Sequence, residues 1–289
     1  MPPAEAAAAR RGSLVLVATP IGNLGDISAR AIETLAAADV ICCEDTRRTR
    51  ALLSAFGVAG AGRLVSLHEH NESARTPQVL SWVKEGKTVA VVSDAGTPGI
   101  SDPGELLVAA AAAAGVPVSI VPGPSAIDAA LVVSGLATDR YCVEGFLPRR
   151  GPDRRERLGA LGSERRTTVL LEAPGRLAGT LEDLHRACGD RVVVVVRELT
   201  KLHEEVWRGT LATAAAEFAE REVRGEIVVV LAGAGPPEPA SDAAVIAAVR
   251  LRLLDGAGVR QAADEVAAEL GVARRRAYQA ALDVRGPAG

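Results

Sequence analysis

Aromatic residues are scarce, with Phe, Trp and Tyr making up 2% of the 289 residues. A chain so poor in rings has few platforms on which bases could stack, so any RNA contact would lean on arginine forks. Lysine is nearly absent too: only Lys84, Lys87 and Lys201 occur, and every other basic residue is arginine. The abundant alanine suggests that genomic base composition accounts for that bias. The four cysteines, Cys42, Cys43, Cys142 and Cys188, lack metal-ligand spacing. Cys42 and Cys43 are neighbours in an expected strand and point to opposite faces, as reduced, buried thiols of a cytosolic protein would. His68 and His70 lie two apart without an evident third ligand, so no metal is expected. Gly22 and Gly25 do not complete a dinucleotide fingerprint. Gly86-Lys87-Thr88 looks like the end of a phosphate loop, but Ser81 stands in place of its first glycine and a strand follows instead of a helix. No H-E-x-x-H or serine-elbow motif is present. The apolar run Leu106–Val121 is broken by Gly115 and Pro117 and reads as a helix followed by a strand, not a membrane span. Met1–Arg11 has no apolar stretch of the secretory kind, and residues 1–12 are expected to be a disordered tail.

The chain does have enough length for two domains. Its 48% hydrophobic and 24% charged content is that of an ordinary globular protein. A formal net charge of −3 argues against a wholly basic nucleic-acid coat and leaves local patches open.

In the first half, short β-rich runs alternate with helical patterns. Strands are expected at Leu14–Ala18, Val40–Cys43, Leu64–Leu67, Thr88–Val92 and Val118–Val121. Helices are expected from about Ile27, over Arg48–Phe56, around Val79–Val83 and over Leu106–Ala114. This order predicts an α/β fold with a mostly parallel sheet. Every strand ends in a glycine-, proline- or charge-bearing loop: Thr19–Asp26, Glu44–Arg47, His68–Glu72, Ser93–Gly104 and Pro122–Ala126. The fourth is the most telling, because three glycines, two prolines and two aspartates in twelve residues make a shaped loop. Glycine lets a ligand touch the main chain, and proline fixes the backbone beforehand. Ligands in open α/β sheets bind outside the carboxyl ends of strands, near a switch in strand order.

The second half repeats the style less regularly. Strands are expected at Thr168–Leu171, Val192–Val196 and Ile227–Leu231, with a helix over Leu177–Cys188. Arg140–Leu147 leads into an arginine-rich segment containing Arg149, Arg150, Arg154, Arg155 and Arg157. Gly233–Pro239 reads as a linker. Beyond it, Val259–Leu270 and Arg274–Val284 form two helices about a Gly271-Val272 turn. That is a helix-turn-helix-like pattern whose second helix is headed by Arg274, Arg275 and Arg276. It is read either as an RNA contact or as a helical cap. If it contacts RNA, reversing the three charges should weaken binding and flatten its salt dependence.

The five loops together resemble those of the tetrapyrrole-methylase superfamily of S-adenosylmethionine-dependent enzymes. More narrowly, they are similar to its branch that methylates a cytidine 2′-oxygen of 16S ribosomal RNA. The likeness continues through Asp139–Pro148, Arg197–Lys201 and Gly225–Val230 and covers nearly the whole chain. It implies two α/β domains, residues 13–123 and 124–236, with the donor in the cleft between them. A linker and helical tail would follow over 237–289. It also implies a cytoplasmic homodimer acting on the small ribosomal subunit, without metal or membrane. The donor would touch Ile21, Gly22, Asp94, Ala95, Gly96, Thr97, Ile100, Ser125, Ala126, Leu171 and Glu172. Gly175 departs from the family, which usually carries a larger polar residue there.

A ribose hydroxyl is a weak nucleophile and benefits from a general base. Candidates are Glu44, Asp45, His68, His70 and Glu198, with Lys201 as an orienting cation. Glu44 and Asp45 could equally cap a helix at Thr46, and Glu198 and Lys201 could be a solvated ion pair. Arg47, Arg48, Arg50, Arg149 and Arg150 are candidate RNA contacts. The rival readings are a corrin-pathway methyltransferase and a non-enzymatic RNA-binding protein on the same scaffold.

Overall fold

The computed structural model describes residues 12–236 and 240–285. Residues 1–11, nearly all of the expected tail, and residues 237–239 of the expected linker lie outside the described residues. The chain divides into two compact units, Met1–Ala234 and Gly235–Gly289.

The first unit holds two five-stranded sheets. In the first, β1 (Ser13–Val17), β2 (Val40–Cys43), β3 (Leu64–Ser66), β4 (Thr88–Val92) and β5 (Val118–Val121) are all parallel, in the order β3-β2-β4-β1-β5. β1 and β4 are near-continuous apolar runs because both of their faces are covered. On one face α1 (Ala29–Ala37) and α2 (Thr46–Ala55) contribute Leu35 and Leu53 to a core with Val15, Ile41, Cys43 and Ala90. On the other, α3 (Glu72–Lys84) and α4 (Glu105–Ala113) contribute Val79, Val83 and Leu107 to a core with Leu14, Cys42 and Val89. Adjacent Cys42 and Cys43 thus sit in opposite cores, and burial pushes the Cys42 thiol up to about 12.

Helix starts follow from the cap residues. Ser28 accepts from the Ala31 amide at the head of α1, and Asp45 accepts from the Arg47 amide at the head of α2. That cap is why α2 begins two residues before the expected Arg48. α4 is different, because its N-cap is Gly104, at φ +133° and without a side chain to offer. The buried carboxylate of Glu72, on α3, takes that place and accepts from the amides of Gly104 (3.0 Å) and Leu107 (2.9 Å).

α5 (Ala126–Ser134), capped by Ser125, leads to the second sheet. It comprises β6 (Tyr141–Phe146), β7 (Thr167–Glu172), β8 (Val192–Arg197), β9 (Glu205–Thr210) and β10 (Ile227–Leu231) in the order β6-β7-β10-β8-β9. Only β6 and β7 pair in parallel; the other three pairings are antiparallel. α6 (Pro152–Ser163), α7 (Leu177–Cys188) and α8 (Leu211–Ala219) cover one face. α5 covers the other, joined in one apolar cluster by Ile21 from the loop after β1.

The second unit is a bundle of α9 (Asp242–Leu254), α10 (Val259–Leu270) and α11 (Arg274–Arg285) around Val245, Val249, Ala263, Val266, Ala277 and Ala281. Gly271 adopts the left-handed conformation that ends α10.

Candidate active site

Strand order places the site. From β1 the chain crosses to β2 on one side, and from β4 it crosses to β5 on the other. A crevice therefore opens outside the carboxyl ends of β1 and β4. The loops that follow these strands are tied across it by an antiparallel bridge between Thr19 and Gly96, with N–H···O distances of 2.9 and 3.1 Å. The Thr19 hydroxyl also donates to the Ser93 carbonyl (3.2 Å). Gly96 sits at φ +84°, and a Cβ there would already touch the Ile21 side chain at 3.4 Å. Further along, Ser101 is held at φ +59°, a strained conformation for a residue with a side chain.

Two clefts meet at this crevice. The first has a volume of about 230 Å³ and is lined by Ile21, Ala95, Gly96, Thr97, Ile100, Ser125, Ala126, Leu171 and Glu172, all expected donor contacts. Phe146, Ile227 and Val228 of the second sheet add apolar wall. Its ionisable lining is entirely carboxylate: Asp102, Glu172 and Glu226. Burial, then the nearby charges of Glu44 and Asp94, raise Asp102 to about 6. The Glu172 carboxylate accepts from Thr180 Oγ1 (2.6 Å) and the Ala173 amide (2.7 Å) and pairs with Arg176 (3.1 Å), so it is held by α7 and the turn that precedes it. Gly175 is exposed, and a Cβ there would meet nothing within 4 Å, so the larger residue usual in the family would fit as well.

The second cleft has a volume of about 360 Å³ and takes in the other two expected donor contacts, Gly22 and Asp94, with Arg48, Thr49, Lys201 and Glu226. The Asp94 carboxylate accepts from the Asp45 amide (3.1 Å) and pairs with Arg48 (3.3 Å), fastening the loop after β2 to the loop after β4. Lys201 lies over Gly22, where a Cβ would collide with its side chain. Its Nζ reaches Glu198 (2.9 Å) and Glu226 (3.2 Å). Burial alone would lower its pKa, but the Glu198 hydrogen bond and the Glu226 charge outweigh that and raise it. Glu198 (φ +52°) and Thr200 (φ +64°) are both strained, and a Cβ on Gly225 would collide with the Glu198 side chain. The segment is shaped at some cost in backbone energy, as is common where chemistry is done.

Other candidates are placed differently. Glu44 and Asp45 line neither cleft. Asp45 is the cap of α2, and its pairing with Arg47 holds it down at about 2, far too weak for a base near neutral pH. Burial, then the Asp94 charge, raises Glu44. The backbone amide of Glu226, then the Lys201 ammonium, lowers Glu198. His68 and His70 lie edge to face at 6.0 Å, outside both clefts, and no metal-holding group of His, Cys, Asp and Glu occurs among the described residues. Among the arginines, Arg48 lines the second cleft, while Arg47, Arg50, Arg149 and Arg150 are exposed. Arg154 is anchored to Asp183 (2.7 Å) and to the Pro148 carbonyl (2.9 Å), and Arg157 to Glu144 (3.0 Å). In the bundle, Arg274 is paired with Asp264, and Arg276 holds Asp242 and the Ala240 carbonyl at 2.6 Å each. Arg275 has no ion-pair partner among the described residues.

A family model described as Tetrapyrrole (Corrin/Porphyrin) Methylases matches residues 13–215. The chain belongs to that family. Among curated methylase relatives, "Ribosomal RNA small subunit methyltransferase I" of Synechocystis is 47% identical over 276 residues, covering 94% of this chain and 98% of that protein. The protein of that name from Mycobacterium tuberculosis is 48% identical (95% and 96% covered), and the one from Escherichia coli O157:H7 42% (96% and 96%). Thermus thermophilus uroporphyrin-III C-methyltransferase, solved with S-adenyl homocysteine, shares the fold at a TM-score of 0.55 and 22% identity, covering 76% of this chain and 97% of that one. Two carboxylates of this methylase site, Asp102 and Glu226, were not singled out from the sequence. Both lie inside segments that were, the Ser93–Gly104 loop and the Gly225–Val230 strand entry, and neither has a spacing that marks it.

Proposed function

We propose that this chain methylates the ribose 2′-oxygen of a cytidine in 16S ribosomal RNA of the small subunit, with S-adenosylmethionine as donor. The observation that carries the reading is the pair of adjoining clefts at the carboxyl edge of the first sheet, one walled by apolar groups and carboxylates, the other by Arg48 and Lys201. The first suits a cationic nucleoside. Its apolar walls accept a purine, the Gly96 backbone can be approached closely, and no cation lines it. When bound, S-adenosylmethionine supplies an already electrophilic methyl, so the protein's part is alignment and exclusion of water. Ile21, Ala95, Gly96, Thr97, Ile100, Ser125, Ala126 and Leu171 would hold the donor. Glu172 would contribute its main chain, since its carboxylate is engaged elsewhere.

The second cleft would take the acceptor nucleotide, with Arg48 and Lys201 toward its phosphate and ribose. The names of the relatives support small-subunit ribosomal RNA over a corrin substrate. Residues 13–123 and 124–236 act in this reading as two lobes around the donor. Exposed Val118 and Ile120 on β5, with Tyr141 and Val143 on β6, are apolar residues of two edge strands and support a homodimer. No helix among the described residues is long and apolar enough to cross a membrane, and a ribosomal substrate puts the enzyme in the cytoplasm.

The test uses small-subunit particles lacking the modification and tritiated S-adenosylmethionine. Label in a cytidine ribose of 16S RNA is expected. Label in a corrin precursor and none in RNA would overturn the reading, as would absence of donor binding by calorimetry.

A further inference from the structure

The two clefts share three lining residues: Ile21, Ala95 and Glu226. A methyl group passing from one cleft to the other crosses that boundary, and of the three only Glu226 has a side chain that can accept a proton. Resting on the methyl-transfer reading above, we propose that Glu226 is the general base for the acceptor hydroxyl.

The neighbouring groups are otherwise committed. The Glu198 carboxylate accepts from Lys201 and from the Glu226 amide, each at 2.9 Å. The Asp94 carboxylate is held by the Asp45 amide and Arg48. Lys201, its pKa raised, is a cation near neutral pH and has no lone pair to offer. The Glu226 side chain is 64% exposed, and its one ion-pair partner among the described residues is Lys201 Nζ, at 3.2 Å. Its backbone, by contrast, is fixed on both sides. The Glu226 amide donates to Glu198, and the Glu226 carbonyl accepts from the Glu198 amide at 3.0 Å. Gly225, at φ +91°, leaves room for the Glu198 side chain, so the strained turn after β8 and the entry to β10 lock together. A largely exposed carboxylate with a single ion pair, on a fixed backbone, is what proton transfer at a set position requires.

The step balances. The ribose oxygen forms a bond to the methyl carbon as the carbon–sulfur bond breaks, and the bonding pair stays on sulfur, turning the sulfonium into a thioether. The hydroxyl proton passes to a Glu226 carboxylate oxygen. That hydroxyl becomes strongly acidic only as the carbon–oxygen bond forms, so the proton moves to the carboxylate together with bond formation. Lys201 keeps Glu198 as a counter-charge when Glu226 is neutralised.

The experiment is a single-turnover methylation of small-subunit particles lacking the modification, with full-length protein and tritiated S-adenosylmethionine. Glu226→Gln should lower the rate by about 10²- to 10⁴-fold, with donor affinity by calorimetry and particle affinity by filter binding within about threefold. Glu226→Ala should regain part of its rate on addition of formate, which separates a missing base from a damaged fold. A wild-type rate in Glu226→Gln, a loss confined to donor or particle affinity, or no response of Glu226→Ala to formate would overturn the assignment. Failure of the wild-type protein to label ribosomal RNA is a separate result, and it overturns the reading on which the assignment rests.

Discussion

The two clefts share a wall and differ in charge. One offers carboxylates and apolar chains; the other offers Arg48 and Lys201 beside Asp94 and Glu226. In the proposed reading, a single sheet edge seats a cationic donor next to an acceptor met by Arg48 and Lys201. The difference arises from which loop faces which partner. The loop after β4 meets the second sheet on one side and the start of α2 on the other. Opposite charges can then bind within reach of each other without sharing one pocket, where the cationic groups would repel a sulfonium donor.

The strongest way to break this contrast is at Gly96. Gly96→Val imposes a β-branched side chain at φ +84° against Ile21. Donor affinity should fall by about 100-fold or more in calorimetry, a loss of about 3 kcal/mol, while particle binding is retained. Loss of particle binding with intact donor affinity would reverse the assignment of the clefts. Lys201→Ala and Arg48→Ala act on the other side. Each should raise the acceptor KM by about tenfold and reduce the salt slope of particle binding by about one, with donor affinity within about threefold.

Most of the first sheet could be read from its residues. Val40–Cys43, Thr88–Val92 and Val118–Val121 are apolar runs between turn residues, and their bounds match the structure. β9 escaped because Glu-Val-Trp-Arg-Gly-Thr is half polar, as suits an edge strand, and α6 because its arginines mask the buried Leu158 and Leu161. The loops that line the two clefts were legible because glycine and proline announce backbone shape. The proposed base, Glu226, was not. The Glu198–Lys201 pair, three positions apart, was legible as an ion pair. The Asp94 carboxylate is instead held by Arg48 and the Asp45 amide, and Glu226 meets Lys201, partners too far away in sequence for any local spacing to mark them.

Asp102 sharpens the contrast by pH. Its folded pKa of about 6 lies above the ordinary value of 3.8. Its contribution to stability is therefore complete below about pH 4 and is lost as pH rises through about 6. Ionisation should favour a cationic donor, so donor affinity should rise severalfold between about pH 5 and 7. Asp102→Asn should flatten both curves, as read by thermal melts and by calorimetry. If the wild-type affinity does not depend on pH, the carboxylate lies away from the sulfonium.

The smallest effect belongs to the bundle. Residues 235–289 carry as many carboxylates as arginines, and Arg274 and Arg276 already hold Asp264 and Asp242. Arg275→Glu should change particle affinity by less than about threefold, in contrast to Arg48→Ala. A larger drop in a filter-binding titration would give the bundle a direct part in RNA recognition.

Glu72 reaches from α3 to hold the first amides of α4. The loop Ser93–Gly104 is thereby anchored at its far end by a residue that precedes it by some twenty positions. It is not an autonomous turn, and an excised peptide would not keep its form. Solvent exchange at the Gly104 and Leu107 amides should accordingly report the undocking of α3 rather than local fraying of α4.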